Sequence, residues 1–164
     1  MKKAGTICLR AVLVGGVSVS SVGLAQSIPK HASFEVTYEA AVSVLTSIDA
    51  GNDQAVQVYQ ADLRFTNTSN TPLFRDLWGS CVESAFTGGG DSGYCVFSDK
   101  DGDKFVETIT RPGKSKTGQG VFGSGTGKYK GITGQVSLAP LALPTVKNGT
   151  LTFVGKRTGS YALP

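Results

Sequence analysis

The sequence predicts an all-β domain, a sandwich or a barrel, on three observations. Apolar and polar residues alternate with a period of two nearly everywhere. Clusters of Gly, Pro and Asp punctuate the alternating runs at short spacing. No segment carries a sustained apolar stripe of helical period, although 40–48 could hold a helical turn. The 164 residues, 40% apolar and 17% charged, suit one globular domain.

Taken in order, the chain opens on a segment that reads as a signal for export. Lys2, Lys3 and Arg10 precede a mainly apolar stretch from Ala11 to Leu24, and Gly23 and Ala25 are the small residues that a signal peptidase reads. The stretch is too short and too serine-punctuated for a spanning helix. The expectation is a signal peptide over 1–25, cut after Ala25, and a β domain over 26–164 in the periplasm or medium, with no membrane attachment after cleavage. Gly5-Thr6-Ile7 before Cys8 is no lipoprotein box. Cleavage leaves Cys81 and Cys95, and an oxidising compartment favours a structural disulfide between them. Two thiols and the distant His31 make no tetrahedral metal set.

The first strand alternates Phe34, Val36 and Tyr38 with Glu35, Thr37 and Glu39. Further strands are expected near 55–66, 79–86, 94–98, 104–110, 119–124, 131–138 and 150–162. Asp101-Gly102 is the pair that type I′ hairpin turns favour. Residues 88–93 read as a longer, looser connection, 111–114 as a turn, and the prolines in 140–144 as a loop before the last strand. The cysteines would then bridge neighbouring strands across the Gly-rich loop.

The net charge of +4 hints at an anionic partner, but Lys2, Lys3 and Arg10 leave with the signal. What remains is nearly neutral, which removes the nucleic-acid reading. It is also polarised: all 12 acids fall in 26–107 and eight bases in 108–164. Two readings follow. The halves neutralise each other on a solvated surface, or Arg111, Lys114, Lys116, Lys128 and Lys130 form an anion-binding mouth.

Most catalytic chemistries lack their residues. His31 is the sole histidine, and no Gly-x-Ser-x-Gly elbow is present. Gly118, Gly120 and Gly123 match a dinucleotide fingerprint, yet no helix pattern follows. Asp99, Asp101 and Asp103 open like a calcium loop, but Lys104 and Thr110 stand where Gly and a bidentate Glu are required. A hairpin turn is the expectation there, with calcium the alternative. No cofactor is expected.

The most distinctive stretch runs Gly123-Ser124-Gly125-Thr126-Gly127-Lys128-Tyr129-Lys130-Gly131-Ile132-Thr133-Gly134. It resembles the signature Gly-x-Gly-x-[Phe/Tyr]-x-Gly-x-x-Gly of the allene oxide cyclase/dirigent superfamily. The match falls on Gly125, Gly127, Tyr129, Gly131 and Gly134, continuing with Gln135, Val136 and Leu138. Residues 93–104 are also similar to exported bacterial members of that group. The resemblance implies a single eight-stranded antiparallel β-barrel of the allene oxide cyclase/lipocalin-like type, able to steer a substrate without metal or organic cofactor, and often oligomeric. The family's catalytic residues lie outside the signature, so none transfers. Tyr38-Glu39 echoes an acidic site of plant cyclases, but Glu39 has solvent parity.

The leading expectation is an exported barrel that binds a small apolar or aromatic ligand, with Tyr38, Tyr59, Trp78, Phe97, Phe105 and Phe122 as candidate lining. A cofactor-free cyclase or isomerase would add an inward polar group. A structural barrel would instead expose a contiguous apolar patch.

Overall fold

The computed structural model describes residues 27–68, 71–142, 144–147 and 150–164; the expected signal segment and Cys8 lie outside them. Nine strands run in chain order: β1 (His31–Gly51), β2 (Gln54–Asn67), β3 (Trp78–Phe86), β4 (Gly90–Ser98), β5 (Lys104–Pro112), β6 (Gly118–Gly125), β7 (Thr133–Pro140), β8 (Thr145–Lys147) and β9 (Thr150–Ala162). Every pairing is antiparallel, and β1 to β7 join in sequence before β9 closes the ring against β1. The result is an eight-stranded barrel. The three-residue β8 continues the line of β7 along β9, pairing Thr145 with Thr152 and Lys147 with Thr150.

Strand parity decides what enters the barrel. Phe34, Val36, Tyr38 and Ala40 of β1 point in and are buried, while Glu35 and Glu39 are exposed. The interior has two unlike halves. One end is closed by the β2–β3 connection, whose short 3₁₀ turn at Pro72–Phe74 buries Leu73 and Phe74 completely, with Leu77 beside them. Phe74 packs against Phe34, Phe105, Phe122 and Tyr161 at centroid distances of 4.5, 5.9, 5.8 and 5.6 Å. Tyr129 donates its hydroxyl hydrogen to the Leu73 carbonyl at 2.9 Å, which ties the glycine-signature loop to this plug.

Within that signature, local geometry explains one glycine. Gly127 has φ +48°, and a Cβ there would run into the Asp103 carboxylate, which accepts the Lys128 amide hydrogen at 3.0 Å. The Asp99–Asp103 turn serves the same corner. Asp99 accepts amide hydrogens from Asp101 and Asp103 at 2.9 and 3.1 Å, and the Lys128 ammonium lies 2.6 Å from Asp99 and 3.1 Å from Asp101. Burial alone would raise the Asp99 carboxyl, but Lys128, Tyr129 and the Asp101 amide together more than offset it, and its pKa is lowered. Lys128 thus sets a positive charge of the chain against Asp99 and Asp101.

Three local expectations are corrected. Residues 40–48 continue β1 as strand, because β2 pairs with them through Asp49 in a hairpin that runs past the barrel wall, where both faces meet solvent and the period of two is lost. The β3–β4 connection is tight, with β4 resuming at Gly90. Asp101 lacks the positive φ of a type I′ turn; Asn52 and Asp53, at φ 53° and 57°, form one at the β1–β2 tip instead.

Candidate functional site

The disulfide lies where the spacing places it. Cys81 of β3 and Cys95 of β4 stand directly opposite each other, are bonded, and are buried on the inward parity. Above and below them the inward positions of β3 to β5 and β9 carry charges, which is where the barrel departs from an all-hydrocarbon core.

Deepest is an ion pair. Arg157 Nη1 donates to Glu107 Oε2 at 2.6 Å, with both side chains almost wholly excluded from solvent. The guanidinium carbon lies 5.3, 5.6 and 4.7 Å from the rings of Tyr38, Phe65 and Phe97, so cation–π attraction replaces part of its lost hydration. Gly120 supplies the room: a Cβ there would overlap the Glu107 carboxylate. Glu107 Oε1 and Arg157 Nε and Nη2 have no hydrogen-bond partner among the described residues. Burial raises the Glu107 pKa, and Arg157 opposes that rise.

Toward the open end, Tyr59 donates to Glu83 Oε2 at 3.0 Å, and Arg111 pairs with Asp91 at 2.8 Å. Register explains the proximity, since Tyr59 faces Glu83 across β2–β3 and Asp91 faces Arg111 across β4–β5. Burial is the main cause that raises the Glu83 pKa; the Tyr59 hydrogen bond works against it and the Asp91 charge adds to it. The Tyr59 hydroxyl is likewise pushed up by burial and then by Glu83.

Beside these groups the mouth opens into a cavity of about 600 Å³. Tyr38, Leu138, Leu151 and Phe153 give it apolar walls; Arg111, Ser115 and Lys116 give it a polar flank. Leu141, Ala142 and Pro144, in the gap where β7 leaves β9 before β8 rejoins, complete the rim. Tyr38 borders this space and lies against the Arg157 guanidinium, so it separates the mouth from the buried pair. A groove of about 570 Å³ over β1 includes outward Glu39, Asp62 and Arg64 and lacks the convergent inward groups.

The predicted lining residues divide accordingly. Tyr38 borders the cavity, whereas Tyr59 is not among its lining residues and hydrogen-bonds Glu83 instead. Phe97, Phe105 and Phe122 are packed together in the closed half, with Phe97 and Phe105 stacked at 5.0 Å. Trp78 is half exposed on the outer wall, because its neighbour Gly79 holds the inward position against Phe97. The five-residue basic set also divides, with Arg111 and Lys116 at the mouth and Lys128 bound to Asp99 and Asp101. Mutual neutralisation of the two halves is visible in Arg111–Asp91, Lys128–Asp99, Lys156–Glu35 and Arg157–Glu107, each joining a late base to an early acid. Sequence reasoning missed Glu83, Asp91, Glu107 and Arg157; a charged residue on a strand's apolar parity was the available signal.

No protein-family model and no curated protein matches the sequence. Among solved structures the chain is similar to a pterocarpan synthase dirigent protein, with a TM-score of 0.52 and 10% identity over 84% of this chain and 94% of that one. The likeness is one of fold, and the barrel is dirigent-like. No helix among the described residues is long and apolar enough to cross a membrane.

Proposed function

We propose that the protein is an exported barrel that holds one small apolar or aromatic molecule at its open end, without a cofactor. The observation that carries this reading is the mouth cavity, whose size falls within the roughly 300–1,000 Å³ of small-molecule sites and whose apolar walls meet the polar side chains of Arg111, Ser115 and Lys116. Tyr38 and Phe153 offer ring faces, and Arg111 with Lys116 offers donors at the rim. Export is supported by the signal-like N-terminus and by the disulfide, which suits an oxidising compartment.

A second reading, a cofactor-free isomerase or cyclase that steers its substrate, is favoured by Glu83. Its carboxyl is held toward the neutral form beside the Tyr59 hydroxyl, the state in which a carboxylic acid can donate a proton. The dirigent fold of a solved synthase agrees with it. In this reading Tyr59 and Glu83 handle the proton and the apolar wall sets the substrate's conformation.

A fluorescence titration with the neutral aromatic probe N-phenyl-1-naphthylamine tests the ligand site. Saturable one-to-one binding is expected, and Phe153→Ala should weaken it about tenfold, the size of one lost aromatic contact. Absence of saturable binding to the unaltered protein would overturn the assignment.

A further inference from the structure

The buried ion pair is joined by a single hydrogen bond, and that leaves polar atoms over. Arg157 Nη1 serves Glu107, while Arg157 Nε and Nη2 and Glu107 Oε1 have no hydrogen-bond partner among the described residues. Nε and Nη2 form one edge of the planar guanidinium, a preset fork of two N–H groups that suits an oxygen acceptor. Arg157 is only 2% exposed, so both donors have lost their hydration without a replacement. The ring faces of Tyr38, Phe65 and Phe97 attract the cation but give these two donors no lone pair. Buried polar groups are nearly always paired, and orphaned donors along one edge point to a group that joins them.

We infer that the free edge of Arg157 is the inner subsite of the mouth cavity and that it takes a carbonyl oxygen of the ligand. The inference rests on the ligand reading above and adds the ligand's polar group to it. Charge selects that group. Glu107 already balances Arg157, so a carboxylate would bring a second negative charge into a dry interior. A carbonyl oxygen brings no charge and has two lone pairs for the two donors. Geometry supplies the approach. Of the three rings around the guanidinium only Tyr38 lines the cavity, so one aromatic ring separates the two spaces. Tyr38 stands opposite Gly155 across β1–β9, and a Cβ at Gly155 would overlap its ring. The ring therefore rests on bare backbone there, and turning it toward the cavity it already borders uncovers the fork. The apolar body of the ligand stays between Leu138, Leu151 and Phe153. An apolar or aromatic ketone or ester fits both parts.

Displacement of N-phenyl-1-naphthylamine by 2-acetylnaphthalene and by 2-ethylnaphthalene tests this, because the two compounds differ by a carbonyl against a methylene. The acetyl compound is expected to bind about tenfold tighter or more, the size of a hydrogen bond from a charged donor. A cavity without the fork would prefer the more apolar ethyl compound. Arg157→Leu with Glu107→Leu should abolish or reverse the preference while both compounds still displace the probe. The infrared carbonyl stretch of bound 2-acetylnaphthalene gives a readout on the unaltered chain, and it should lie below its position in water. Equal or tighter binding of the ethyl compound to the unaltered protein would overturn the inference and leave the ligand reading standing. A stretch at or above the water position, or a preference that survives in the folded double variant, would do the same. If neither compound nor the probe binds, the ligand reading itself fails and takes the inference with it.

Discussion

Replacing Arg157 with leucine is expected to destabilise the protein by about 3–5 kcal/mol at neutral pH, a large part of the roughly 5–15 kcal/mol that holds a typical domain folded. The cause is what remains. Glu107 is fully buried, and its only hydrogen bond among the described residues comes from Arg157. Without the guanidinium the carboxylate would be an unpaired charge among Phe97, Phe105 and Phe122. Its folded-state pKa, already raised by burial, would rise further above the unfolded value of about 4.3. A pKa raised on folding gives stability that is fully present below the unfolded value and is lost as pH rises through the folded one. The variant should therefore approach the wild type near pH 4 and fall away toward neutrality. The double variant Arg157→Leu with Glu107→Leu should recover most of the loss, since two apolar side chains leave no stranded charge. Urea unfolding across that pH range, followed by the fluorescence of Trp78, measures all three. A loss below about 1 kcal/mol at neutral pH would contradict a dry, dependent pair.

The second large effect belongs to the disulfide. Cys81 and Cys95 are separated by 14 positions, and a loop of that size is worth about 3 kcal/mol in the chain-entropy account. The bridge lies inside the barrel at directly opposed positions of β3 and β4, and Cys95 faces Glu107 across β4–β5. Cys81→Ala with Cys95→Ala should lower the unfolding free energy by about that amount, read as a lower denaturation midpoint. An unchanged midpoint would contradict that account of the bridge.

These two predictions concern residues that the sequence treats very differently. The cysteine pair was legible because compartment and count together leave few alternatives. The strands were legible wherever one face is solvated: Phe34, Val36 and Tyr38 against Glu35 and Glu39 read directly as inside and outside. The failures have physical reasons as well. Residues 40–48 lie in a hairpin beyond the wall, where Val44, Leu45 and Ile48 are all exposed, so no parity signal exists. Leu73, Phe74 and Leu77 belong to a connection that folds into the barrel end, and a buried loop has no period to read. Glu83, Glu107 and Arg157 occupy apolar parity, and each is accepted only because a partner strand far along the chain supplies Tyr59, Arg157 or Glu107. Closure into a ring rests on β9 meeting β1, a contact between the two ends that local pattern does not contain.

The mouth site depends on the same long-range closure. Tyr38 of β1, Arg111 of β5, Leu138 of β7 and Phe153 of β9 meet only because the ring is complete. Native mass spectrometry of the protein purified from its own source tests the central reading most directly. The expected spectrum shows the folded chain carrying one small molecule, lost on unfolding and replaceable by an aromatic probe. A spectrum of bare protein that takes up no aromatic compound at any concentration would contradict it.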